Sequence, residues 1–136
     1  MALDLSPFRR AVAQLAAGLA MSREHPDNEV IRDGVIQRFE YTWELSHKFL
    51  RRFLEETEQA PEQLRESSFP ALIRLGSERG LLVNGWDVWA EHRKARGTTN
   101  HAYDGAKAAE VFARIPAFLD DARALLAALD RRLSAP

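Results

Sequence analysis

The chain has 136 residues, a formal net charge of -1 and no cysteine, which is the size of one ordinary domain with its own core. Disulfides and thiolate metal sites are excluded, and so is any general electrostatic pull on nucleic acid, so that such a pull has to be local. No apolar run approaches the roughly 20 residues of a membrane-spanning helix.

The periodicity is helical almost throughout. Asp4 and Ser6 are candidate N-caps with Pro7 in a first turn. From there Phe8, Val12, Leu15 and Leu19 step by three or four residues to about Met21. His25-Pro26-Asp27-Asn28 interrupts this stripe, and Asp27 or Asn28 can cap the next helix. That helix is expected from about Glu29 to about Thr57, with Ile31, Val35, Phe39, Thr42, Phe49 and Phe53 in line and Trp43, Leu50 and Leu54 beside them. At 1.5 Å per residue it would be roughly 40 Å long, and burying such a face requires long partners.

Residues 58–67 read as a polar loop. Ser67 or Ser68 then caps a short helix with Pro70 in its first turn, and Gly80 closes it. After the Asn84-Gly85 turn signal, Trp86, Val88 and Trp89 start a helix that ends near Arg96-Gly97. The stretch from Gly97 to Asp104 reads as a loop, and Asp104 caps a last helix. That helix carries Ala108, Val111, Phe112, Ile115, Leu119, Ala122, Leu126 and Leu129, with a kink expected at Pro116. The sum is an all-α protein: an antiparallel up-and-down four-helix bundle with one additional short helix, in a single domain over residues 1–136. Met1 to Leu5 contain neither a basic stretch nor an apolar one, so no leader is expected and the location is expected to be cytoplasmic.

One segment stands out chemically. His92, Arg93, Lys94 and Arg96 crowd a helix end, and Thr98, Thr99 and Asn100 lead on to His101 and Tyr103. Cations complement the dipole of a helix C-terminus, which accounts for Arg93 and Lys94. It does not account for a loop of small hydrogen-bonding residues that returns a His and a Tyr. An Arg holds phosphate oxygens bidentately, and a His exchanges a proton near neutral pH. Together they suffice to bind a nucleotide phosphate, or to cleave RNA without a metal by attack of the neighbouring 2′-hydroxyl. The candidate binding residues are therefore Arg93, Arg96, Thr98, Thr99, Asn100 and His101, with Arg96 and His101 the catalytic pair of a ribonuclease.

Other candidates have plainer readings. Glu44-Leu45-Ser46-His47 has the Glu-x-x-His spacing of di-iron bundles, but no second copy exists, and Glu44 with Lys48 makes an ordinary i,i+4 pair. No metal site and no cofactor is expected. Trp43, Trp86 and Trp89 are expected in the core or at an oligomer interface, and a homodimer is expected. Arg51-Arg52 and Arg131-Arg132 are expected as complements to helix dipoles.

Two stretches carry a resemblance. Arg38-Phe39-Glu40-Tyr41-Thr42-Trp43-Glu44-Leu45-Ser46-His47-Lys48, and Gly80 to Trp89 followed by Arg96 to Tyr103, resemble the nucleotidyltransferase substrate-binding proteins of the HEPN group. The match runs from about Val30 to about Phe118. The resemblance implies a helical bundle that dimerises and is encoded beside a minimal nucleotidyltransferase, which supplies the metal-dependent active site. It implies a non-catalytic substrate-binding subunit in a toxin–antitoxin-like module, with nucleotide or RNA as ligand. It equally implies a metal-independent ribonuclease toxin with an Arg-x4-His motif at Arg96 and His101, silenced by AMP addition at Tyr103. Gly97 departs from the polar residue that usually follows the Arg; a Gly there suits a helix end.

Overall fold

The computed structural model describes residues 3–135. The expected leader-free start and the expected domain span 1–136 include Met1, Ala2 and Pro136, which lie outside the described residues.

Among the described residues there are six α-helices and one 3-10 turn, and no strand: α1 (Ser6–Glu24), α2 (Glu29–Thr57), α3 (Pro61–Glu66), α4 (Phe69–Glu78), α5 (Trp86–Thr98), the 3-10 turn (Thr99–His101) and α6 (Gly105–Ser134). Asp4 does not take the N-cap position of α1, which belongs to Leu5. Its carboxylate instead accepts from the backbone N–H (3.0 Å) and the hydroxyl (2.7 Å) of Ser6. Asn28 caps α2 by accepting from the Ile31 N–H at 3.1 Å. Such a cap stabilises a helix by about 1 kcal/mol.

The pairing of α1 with α2 is antiparallel. Gly18 faces Val35, Ala11 faces Thr42, and Phe8 stacks on Phe49 at 6.1 Å, so partners descend along α2 as residues ascend along α1. A Cβ at Gly18 would come within 3.2 Å of Val35; its absence lets the two backbones approach closely here. Arg38 donates across the same interface to the Gln14 carbonyl at 2.7 Å. α5 and α6 pair antiparallel as well, since His92 meets Asp121 while Thr98 lies beside Glu110. Phe39 on α2 meets Phe118 on α6 edge-on at 5.0 Å, and Arg9 ties α1 to Asp130 of α6 at 2.6 Å. The result is the expected helical bundle of α1, α2, α5 and α6, with α4 as a short extra helix. The core is one cluster that includes Phe8, Leu15, Phe39, Leu54, Leu72, Trp89 and Phe118.

The expected loop at residues 58–67 contains α3 instead. Pro61 suits a first helical turn, and Leu64 is buried. Arg51 reaches out from α2 to the Leu64 carbonyl and to the Ser67 hydroxyl at 3.2 Å, satisfying groups that a six-residue helix leaves open at its end. Arg51 is therefore a brace between elements and not a complement to the dipole of α2, which continues for about a further turn and a half.

Ser68 caps α4 by accepting from Ala71 N–H at 3.3 Å. Gly80, at φ +73°, ends it with paired bonds from Gly80 N–H to the Ser77 carbonyl and from Leu81 N–H to the Gly76 carbonyl. That is the Schellman arrangement, and it requires the left-handed conformation glycine tolerates. Arg132, near the end of α6, donates to the Arg79 carbonyl beside it. α6 runs unbroken past Pro116. Its stripe also buries Phe118 and Leu125, while Phe112 and Leu126 are only half-buried.

Candidate functional site

The expected loop after Gly97 is largely helical. α5 continues through Thr98, and a 3-10 turn covers Thr99, Asn100 and His101. Gly97 does not end the helix: it has no positive φ, and a Cβ there would meet nothing within 4 Å. Thr98 extends the helix by donating its hydroxyl to the Lys94 carbonyl at 3.0 Å. Asp104 caps α6 by accepting from Ala106 (2.9 Å) and Lys107 (3.3 Å).

Arg96 lies largely buried against α2. Its guanidinium donates to the Thr99 hydroxyl at 2.8 Å, and that hydroxyl donates in turn to the Arg96 carbonyl at 2.6 Å. Two carboxylates one turn apart on α2 face it, Glu40 at 3.6 Å and Glu44 at 3.9 Å. Neither is within hydrogen-bond distance, and the buried Arg96 Nε has no hydrogen-bond partner among the described residues. Glu40 and Glu44 thus flank the guanidinium as ion-pair partners and orient it. Glu44, expected to pair with Lys48, serves Arg96 and, at 3.4 Å, His47.

Arg93 stands one turn earlier, exposed, with its guanidinium 5.5 Å over the Phe69 ring. Asn100, His101 and Tyr103 are exposed, and Tyr103 is 88% accessible. The His101 and Tyr103 rings lie 6.1 Å apart. Among the described residues no hydrogen bond joins Arg96 to His101. Thr99 is buried, so its hydroxyl acts on Arg96. Among the described residues no three His, Asp or Glu side chains gather as a metal site would require.

His92 belongs to a different assembly from its basic neighbours. It is fully buried. Its Nε2 lies 2.6 Å from Asp121 Oδ2, and its Nδ1 accepts from Arg114 Nε at 3.1 Å. Asn84 donates to the other Asp121 oxygen at 2.7 Å. A guanidinium only donates, so Nδ1 is the acceptor and the ring hydrogen on Nε2 points to Asp121. This network pins α5 to α6 and to the turn before α5. Sequence reasoning missed Asp121 and Arg114. The available signal was an acidic residue set among Phe118, Ala122 and Leu125 on the apolar stripe of α6.

Trp43 and Trp89 are in the core as expected, whereas Trp86 is half-buried. His47 packs on Trp43 (5.8 Å) and Phe69 (5.9 Å). Burial lowers its pKa below the ordinary imidazole value, against the opposing pull of Glu44. A groove of about 750 Å³ lies elsewhere, between the end of α2, α3 and α4, and includes Glu58, Leu64, Ser67, Leu75 and Arg79. None of the candidate binding or catalytic residues lines it.

Fold and site together define a helical-bundle protein with an arginine-centred surface at the end of α5. The chain matches the family described as nucleotidyltransferase substrate binding protein like over residues 3–131, and it belongs to that family. It is 33% identical over 99 residues to a Haemophilus influenzae protein named probable ribonuclease HepT, a match covering 73% of this chain and 67% of that relative. A solved Haemophilus influenzae structure, described as revealing the fold of a substrate binding domain of a nucleotidyltransferase, superposes with a TM-score of 0.87 at 26% identity. That superposition covers 93% of this chain and 99% of the other. No helix among the described residues is long and apolar enough to cross a membrane.

Proposed function

We propose that the chain is a non-catalytic substrate-binding subunit that pairs with a separate minimal nucleotidyltransferase, the two forming a toxin–antitoxin-like module. The chain acts as a homodimer and receives a phosphate-bearing substrate, nucleotide or RNA, at the end of α5. The observation that carries this reading is the state of the two arginines. Arg93 is exposed, and the partly exposed Arg96 is oriented beside it by Glu40, Glu44 and Thr99. Thr98, Asn100 and His101 border the same helix end. Metal-dependent transfer belongs to the partner in this reading. Co-expression with the product of the neighbouring gene tests it: a stable complex is expected on size-exclusion chromatography, and separate elution of the two proteins would sink the reading.

A second reading has its own support. Tyr103 stands almost fully exposed beside His101, and one relative is named a probable ribonuclease. In this reading Arg96 steadies the phosphate while the neighbouring 2′-hydroxyl attacks it and the 5′-oxygen leaves, His101 moves the proton, and the partner silences cleavage by transferring AMP from ATP to the Tyr103 hydroxyl with release of pyrophosphate. It requires RNA cleavage that persists in chelator and vanishes in Arg96→Ala and His101→Ala. It also requires an AMP-sized mass increase after co-expression that is absent in Tyr103→Phe.

A further inference from the structure

Five side chains from three helices are arranged as a ring on one face of the bundle, four of its links being contacts. Arg96 Nε stands 3.9 Å from one oxygen of Glu44, and the other Glu44 oxygen stands 3.4 Å from His47 Nε2. The His47 ring meets Phe69 edge-on at 5.9 Å, and Arg93 lies over Phe69 at 5.5 Å. Arg93 and Arg96 are one turn apart on α5, which completes the ring. Trp43 backs it, in contact with both His47 and Phe69, and Trp86 extends it from Phe69 at 5.7 Å. His47, Phe69 and Trp86 are all partly accessible.

A well-packed core edge would account for Phe69 and Trp86. Arg93 lies over Phe69 much as the exposed Arg52 lies over Phe49 at 5.8 Å, but only the Phe69 pair has a second arginine, Arg96, and the Glu44 carboxylate on the same face. Stacking on a ring fixes the plane of Arg93 while leaving its N–H donors free at the edge. The carboxylates on this face go to Arg96 and His47. A pair of cations beside accessible aromatic rings and a carboxylate is the chemistry that receives a nucleotide. The phosphate takes the arginines, the base takes the rings, and the carboxylate accepts from an exocyclic amino group.

We propose that this ring is a base-binding subsite: a nucleotide whose phosphate is held by Arg93 and Arg96 lays its base against Trp86, beside Phe69, and donates its amino group to Glu44. The proposal rests on the reading of Arg93 and Arg96 as the phosphate-holding pair, and it adds what lies beyond the phosphate. Glu44 then favours amino-bearing bases over uracil.

Isothermal titration of the full chain with AMP, UMP and ribose 5-phosphate tests it. AMP is expected to bind roughly tenfold or more tightly than ribose 5-phosphate, the increment that stacking on an aromatic ring supplies. Trp86→Leu is expected to abolish that advantage while leaving ribose 5-phosphate binding unchanged, and Trp86→Phe is expected to keep it; Phe69→Leu, which also frees Arg93, is expected to weaken all three ligands. Glu44→Ala is expected to narrow the gap between AMP and UMP. Arg93→Ala and Arg96→Ala are expected to weaken all three ligands. Equal affinity of the wild type for AMP and ribose 5-phosphate would overturn the base subsite and leave the phosphate pair standing. Ribose 5-phosphate binding untouched by both arginine variants would instead overturn the reading beneath it. Light scattering closes the remaining route: if Trp86→Leu dissociates an oligomer without changing the AMP advantage, this face is a subunit contact and the proposal falls.

Discussion

His92 and Asp121 form a buried pair, with Nε2 and Oδ2 at 2.6 Å and almost no solvent contact on either side chain. Removing one partner leaves the other desolvated and unmatched. Asp121→Ala is expected to cost about 3–5 kcal/mol, because it strands the His92 and Asn84 donors together. Asp121→Asn keeps an acceptor and should cost less. Urea denaturation of the two variants checks the order, and equal losses would contradict the network.

Gly97 lies inside a helix with open space where a Cβ would be. Gly97→Ala is therefore expected to raise stability by about 0.5–1 kcal/mol, the ordinary helix preference for alanine over glycine. A thermal melt showing a lower midpoint would contradict its placement in α5.

Gly80 is the reverse case. Its φ of +73° opposes a side chain, and so does the Arg132 guanidinium, which would lie 3.3 Å from a Cβ at this position. Gly80→Ala is expected to destabilise by about 1 kcal/mol or more. Chemical denaturation at fixed pH measures the loss, and a neutral or stabilising result would argue against the Schellman ending of α4.

His47 makes stability depend on pH. Its folded-state pKa is lowered, chiefly by burial, so the unfolded chain takes up the proton first as pH falls. The contribution of the neutral ring is fully present above the unfolded value of about 6.5 and is lost as pH falls through the depressed folded value. Wild type is therefore expected to lose stability on acidification over that window faster than His47→Gln. Parallel slopes for the two proteins between about pH 7 and pH 5, the range in which an imidazole titrates, would contradict this.

Much of the fold is legible in the sequence because its signals are local. Asn28, Ser68 and Asp104 are readable as helix caps, and the stripes of α1 and α2 place nearly every core residue of those helices. Residues 61–66 are not legible, since the helix there depends on Arg51, distant in sequence, meeting its open carbonyl end. The site is legible only as a composition. Arg93, Arg96 and His101 are visible as chemistry, but Glu40 and Glu44 look like solvated charges. Only the packing of α5 on α2 turns them toward Arg96. His92 reads as one more basic residue at a helix end for the same reason: its partners Arg114 and Asp121 lie 22 and 29 residues away.

The buried His92 network also acts as an angular index for α5. A helix held by apolar contacts alone can turn about its axis and find nearly equivalent packing, because such contacts are not directional. His92 cannot turn without breaking its bonds to Asp121 and Arg114. A slip of one residue would rotate α5 by about 100°. Arg96, one turn further along, would then leave Glu40 and Glu44. The dial setting that aims the arginine is thus fixed in the dry interior, out of reach of whatever binds at the surface.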